Sequence, residues 1–168
     1  LTVSQPTATT IQQVSIHPKL RAVERRETIS ARIKNKKGNW MPILLFATAD
    51  LTKPEINKFT VNAEPLKNSL FIEANGLNFT DTTKPFVIQV PGMDTISFKY
   101  GGHAFDPGLA PSQMEQMVYA YTSLSTLNGL VTDSIQQWLI TAKEKSLSEE
   151  ELRNFAKDLS QTINQTAK

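Results

Sequence analysis

The stretch Arg25-Arg26-Glu27-Thr28-Ile29-Ser30-Ala31-Arg32-Ile33-Lys34-Asn35-Lys36-Lys37-Gly38-Asn39-Trp40 decides the fold class. Taken two residues at a time, it separates into two sets. Ile29, Ala31 and Ile33 fall on one side, and Arg26, Thr28, Ser30, Arg32, Lys34 and Lys36 on the other. Side chains alternate across a β-strand, so the pattern predicts a strand with one apolar face and one cationic, hydroxyl-bearing face. Lys37-Gly38-Asn39 is a turn signal, and the nearly continuous apolar run Trp40–Thr48 predicts a second strand, completing a hairpin.

Further period-two runs follow. Phe59, Val61 and Ala63 alternate with polar neighbours, as do Leu70, Ile72 and Ala74. Phe86–Val90 ends at Pro91-Gly92, and Ile96, Phe98 and Tyr100 alternate with Thr95, Ser97 and Lys99. Residues 25–100 therefore predict an antiparallel sheet of about five or six strands.

Beyond Gly101-Gly102 the period changes. Ser112 and Glu115 have the spacing of a capping box, and Met114, Met117, Val118, Tyr121, Leu124 and Leu127 recur at three and four residues, predicting a helix. After Asn128-Gly129, the residues Val131, Ile135, Trp138 and Leu139 predict a second helix to about Lys145. Ser148 and Glu151 make another capping box ahead of Leu152, Phe155, Leu159 and Ile163, with Leu147 and Leu152 placed as a hydrophobic staple. Sheet first and helices last is an α+β order. The domain organisation expected is an N-terminal arm or edge hairpin over 1–24, a single α+β domain over 25–145 and a C-terminal amphipathic helix over 146–168.

A chain of 168 residues has room for one substantial core. It has no cysteine, so disulfides and thiolate chemistry are excluded. Residues 1–58 hold 10 Lys/Arg against 4 Asp/Glu, and residues 59–168 hold 8 against 12, so the net charge of +2 hides a basic front half and an acidic back half. That asymmetry suggests an anionic ligand or head-to-tail contact between copies. No phosphate-binding glycine loop, nucleophile elbow or helical histidine pair occurs. His103 with Asp106 could serve as a base and its orienting carboxylate, but nothing marks a nucleophile beside them. No catalytic residue, metal or cofactor is expected, and no apolar run is long enough to span a membrane as a helix.

If the strands share one sheet, their polar sides form one surface. Arg26, Thr28, Ser30, Arg32, Lys34, Lys36, Thr95, Ser97 and Lys99 would then be the candidate nucleic-acid contacts. Tyr121, Leu124 and Trp138, on the expected helices, would pack over the apolar side, in a dimer. This arrangement resembles the coat proteins of single-stranded RNA bacteriophages. The similarity lies in Asp94-Thr95-Ile96-Ser97-Phe98-Lys99-Tyr100, in Met114 through Gln137 with its break at Asn128-Gly129, and in the basic strand over 25–37. The resemblance implies an intertwined dimer building a larger shell, with RNA as partner and the virion as location. The alternative is an extracytoplasmic or surface assembly subunit of a secretion or attachment apparatus, with protein partners and no nucleic acid.

Overall fold

The computed structural model describes residues 18–56, 58–128, 135–143 and 147–166. Among the described residues, eight strands form one mixed sheet: β1 (Leu20–Lys34), β2 (Trp40–Thr48), β3 (Thr60–Val61), β4 (Ser69–Glu73), β5 (Phe86–Gln89), β6 (Thr95–Phe105), β7 (Val118–Ser123) and β8 (Ile135–Ala142). Helices α1 (Ser112–Glu115) and α2 (Leu124–Leu127) are single turns, and α3 (Glu149–Thr166) is the one long helix among the described residues. The chain is α+β, as expected. Of the expected arm, residues 1–17 lie outside the described residues, and Leu20–Glu24 belong to β1.

The hairpin forms as the sequence predicts, with Arg32 opposite Pro42 and Lys34 opposite Trp40. The sheet is not purely antiparallel. β2 runs parallel to β7 and β4 runs parallel to β6. One edge of β1 pairs with β2, and the other pairs with β8 near its start and with β5 near its end. The strands β2, β7, β4, β6 and β5 pair in that order, so β1 closes a ring of six. Closure removes the need for a helical cover. Ile29, Ala31 and Ile33 point inward, where they meet Ile43, Leu45, Leu70, Ile72, Phe86 and Ile88. Small closed barrels are filled this way by alternate side chains. Ile33 is fully buried, and its burial contributes about 1.5–3 kcal/mol. The expectation that C-terminal helices cover this face is thereby corrected.

Two expected helices are strands. Met114, Val118, Tyr121 and Leu124 have helical spacing, yet the segment turns extended after one helical turn, where Gln116 adopts a left-handed φ of 52°. From Val118 to Thr122 every residue is buried. Val118 and Ala120 face the barrel interior, while Tyr119 and Tyr121 pack outside it. A run buried on both faces with β-branched and aromatic residues suits a strand, and its apolar positions also satisfy a helical period. The Ser112 capping box does not form. Pro111 is the cap residue, and the Glu115 carboxylate instead accepts from the Tyr119 hydroxyl at 2.8 Å. Ile135–Ala142, expected as helix, pairs with residues 20–28 of β1.

The second capping box does form. The Ser148 N–H and hydroxyl each donate to Glu151 Oε2 at 2.7 Å, and the Glu151 N–H donates back to Ser148 Oγ at 3.3 Å. Helix α3 docks on its own chain through Leu159, which meets Leu20 with Val23, Ile140 and Phe155 around it. Leu152 is 48% exposed, so it does not act as the buried half of a staple.

Gly101 and Gly102 lie inside β6 and do not end the sheet. A Cβ on Gly101 would lie 2.9 Å from the Ser69 Cβ. Gly102 has φ +140°, and a Cβ there would clash with Asn62 Oδ1, which accepts from the His103 N–H. The β4–β6 register shifts at this point. Glycine is required there because two neighbours approach the backbone closely.

Candidate functional site

The cationic side of β1 divides into three regions. Near its middle, Arg26 and Thr28 are not presented to solvent. Thr28 is buried and Arg26 half-buried under a second, outer core of Phe46, Leu51, Phe59, Phe71, Tyr119 and Tyr121. The Arg26 guanidinium lies over the Phe46 ring, 4.6 Å from its centroid, and donates to Gln137 Oε1 from Nε (3.1 Å) and Nη2 (2.9 Å). The Thr28 hydroxyl donates to the same oxygen at 3.0 Å. Beside them the Tyr121 hydroxyl donates to Asp106 Oδ2, and Asp106 Oδ1 accepts from the Gly108 N–H at 2.8 Å. Burial pushes the Tyr121 hydroxyl well above its ordinary value, and the Asp106 carboxylate adds to this. Burial draws Arg26 below its ordinary value, partly opposed by the nearby carboxylates of Asp106 and Glu24.

This cluster locks elements together. Arg26, Tyr121, Asp106 and Gln137 come from β1, β7, the loop after β6, and β8. A buried guanidinium and carboxylate are tolerated only with hydrogen-bond partners, and these supply them. The Asp106 carboxylate is engaged by the Tyr121 hydroxyl and the Gly108 N–H.

Further along β1, Ser30, Arg32 and Lys34 are exposed, as the alternation predicts. Arg32 pairs with Gln89 on β5, and Gln89 pairs with Thr95 on β6, so Arg32 and Thr95 share one row of the outer face. Ser97 and Lys99 are exposed farther along β6. At the hairpin tip Lys36 joins Lys37, with Trp40 38% exposed and Lys34 Nζ 5.4 Å from its ring centroid. The sequence thus indicated which β1 residues are cationic, but not that the outer core withdraws Arg26 and Thr28 from the surface.

Tyr121, Leu124 and Trp138 are not brought onto one face. Tyr121 stacks on Phe59 in the outer core, with centroids 4.2 Å apart. Leu124 packs against the barrel interior. Trp138 is buried on β8 opposite Arg25. Among the described residues, no group of three or more His, Asp or Glu could hold a metal ion, and no helix is long and apolar enough to cross a membrane.

No family model matches this sequence, and no curated protein matches it. Solved structures do match its fold. The periplasmic region of MacB from Actinobacillus actinomycetemcomitans is similar at a TM-score of 0.53 and 12% identity, over 98% of this chain and 84% of that one. The fold resembles that periplasmic region. A domain of a protein named as a permease from Porphyromonas gingivalis is similar at a TM-score of 0.50 and 12% identity, over 96% of this chain and 78% of that one. These neighbours correct the expectation of an RNA-binding, shell-forming coat protein located in a virion, and with it the capsid reading. The extracytoplasmic alternative agrees with them better.

Proposed function

We propose that this chain is an extracytoplasmic domain of a membrane-associated transport or assembly complex and works by contact with other proteins. The observation that carries the reading is the span of the fold likeness to the periplasmic region of MacB and to the permease-protein domain, which takes in nearly the whole chain. The chain's Arg26–Gln137 and Asp106–Tyr121 contacts hold elements together and leave recognition to the exposed surface. On that surface the exposed large apolar side chains Trp40, Phe105, Met114 and Leu152 are contact points for protein partners.

Protease accessibility tests this reading. A tagged copy of the whole protein is expressed in its source cell, the outer envelope is opened, and the cytoplasmic membrane is left sealed. Digestion of the chain under these conditions is expected. Protection there, with digestion only after the cytoplasmic membrane is broken, refutes an extracytoplasmic position.

A further inference from the structure

The tip of the β1–β2 hairpin is held by its own hydrogen bonds. Asn35 Oδ1 accepts from the N–H groups of Lys37 at 2.9 Å and Asn39 at 3.0 Å. The Asn35 N–H donates to the Asn39 carbonyl at 2.9 Å, and the Gly38 N–H donates to the Asn35 carbonyl at 2.8 Å. Gly38 has φ +82°, a conformation that glycine adopts without strain. The Lys36 N–H donates to the Phe79 carbonyl at 2.8 Å, tying the tip to the turn that follows β4. A backbone already fixed loses little entropy when its side chains engage a ligand.

The tip is cationic. Lys36 and Lys37 are exposed, and among the described residues neither forms an ion pair. Carboxylates on the surrounding segments are occupied: Glu73 accepts from Asn75, Asp81 pairs with Lys84, and Glu115 accepts from Tyr119. Beside the lysines the exposed indole of Trp40, together with Met41, Pro42 and Phe79, lines an open cleft of about 380 Å³.

We propose that this cleft takes an acidic segment of a protein partner, its carboxylates on Lys36 and Lys37 and an apolar side chain against Trp40. The inference deepens the protein-contact reading given above and rests on it. The chemistry favours a peptide over a nucleic-acid strand. A strand needs successive aromatic platforms along a cationic groove, whereas this cleft offers one exposed ring, and its remaining apolar wall suits an aliphatic or aromatic side chain.

The test uses Trp40 as its own reporter in a Trp138→Phe background. The probes are a short capped peptide of glutamate and leucine, the same peptide with lysine for glutamate, a single-stranded oligonucleotide, and vesicles of anionic phospholipid. The acidic peptide is expected to shift Trp40 emission to the blue, with an affinity that falls as salt rises. Lys36→Glu with Lys37→Glu should lower that affinity roughly tenfold or more, and Lys36→Gln with Lys37→Gln by an intermediate factor, with unchanged circular dichroism. Absence of a shift with the acidic peptide overturns the proposal. So does an equal response to the lysine peptide, or binding of the oligonucleotide or vesicles as tightly as the acidic peptide. The protease experiment reads only where the chain resides, so either result can fail without the other.

Discussion

Replacing Tyr121 with Phe isolates one hydrogen bond in a cluster that joins four segments of the chain. The ring keeps its stacking on Phe59 and its tilted contact with Phe46, so packing is nearly unchanged. What is lost is the hydroxyl that donates to Asp106 Oδ2. Tyr121 is fully buried and Asp106 6% exposed, so water replaces the lost donor poorly. A hydrogen bond to a charged group contributes about 1.5–3 kcal/mol. For a chain of this size each kcal/mol moves Tm by about 2–4 °C, so Tyr121→Phe should lower Tm by roughly 3–12 °C. Tyr121→Ala should cost more, because the ring is lost as well, at about 3–5 kcal/mol for an aromatic truncation. A double-mutant cycle of Tyr121→Phe with Asp106→Asn, read by urea denaturation, should return a coupling within the hydrogen-bond range. The hydroxyl also predicts an alkaline limb. Folding raises the Tyr121 pKa above its ordinary value of 10.0, so the folded chain holds that proton more tightly than the unfolded chain. The resulting stability is complete below about pH 10 and is lost as pH rises towards the folded value. The loss should be shallower in Tyr121→Phe. A variant with wild-type Tm and zero coupling to Asp106 would refute the role given to this pair.

Three further outcomes follow from the same geometry. Ile33→Ala, inside the barrel, should cost about 2–5 kcal/mol, whereas Arg32→Ser, one residue earlier and exposed, should stay within about 0.5 kcal/mol; equal effects in denaturant titrations would deny the alternation of β1. Leu159→Ala should likewise cost about 2–5 kcal/mol if α3 is docked on Leu20, and an unchanged melting curve would mean that the helix is not anchored there. The Ser148 hydroxyl and N–H hold the Glu151 carboxyl below its ordinary value of 4.5, so their support of the α3 N-terminus is present above about pH 4.5 and disappears as pH falls through the folded value. Protection of the first-turn amides of α3, taken relative to the intrinsic exchange rate at each pH, should fall over that acid range in the parent and much less in Ser148→Ala, with an equal fall in both counting against the cap.

The sequence alone determined the elements whose local signal has one interpretation. Ile29, Ala31 and Ile33 alternate with Ser30, Arg32 and Lys34, and the Lys37-Gly38-Asn39 turn leads into an apolar run, so the first hairpin was legible. Ser148 and Glu151 specify the start of α3 because a cap is a contact between residues three apart. Val118–Ser123 has a helical period because burial on both faces fills every apolar position, and such a run satisfies the helical period as well as the strand period, while in Ile135–Ala142 the spacing of Ile135, Trp138 and Leu139 matches the helical period by itself. Only partners decide between them, and these are distant in sequence: Ile43 for Val118, and Arg25 for Trp138. The same cause limited the site. That Arg26 and Lys34 carry charge is written in the chain, but Arg26 is withdrawn under Phe46 and Tyr121 while Lys34 stays in solvent beside Trp40. Tertiary structure decided that difference, because Gln137 of β8 and the aromatic side chains of β2 and β7 cover Arg26, whereas Lys34 lies toward the hairpin tip, and contacts over such separations leave no periodic trace in the sequence.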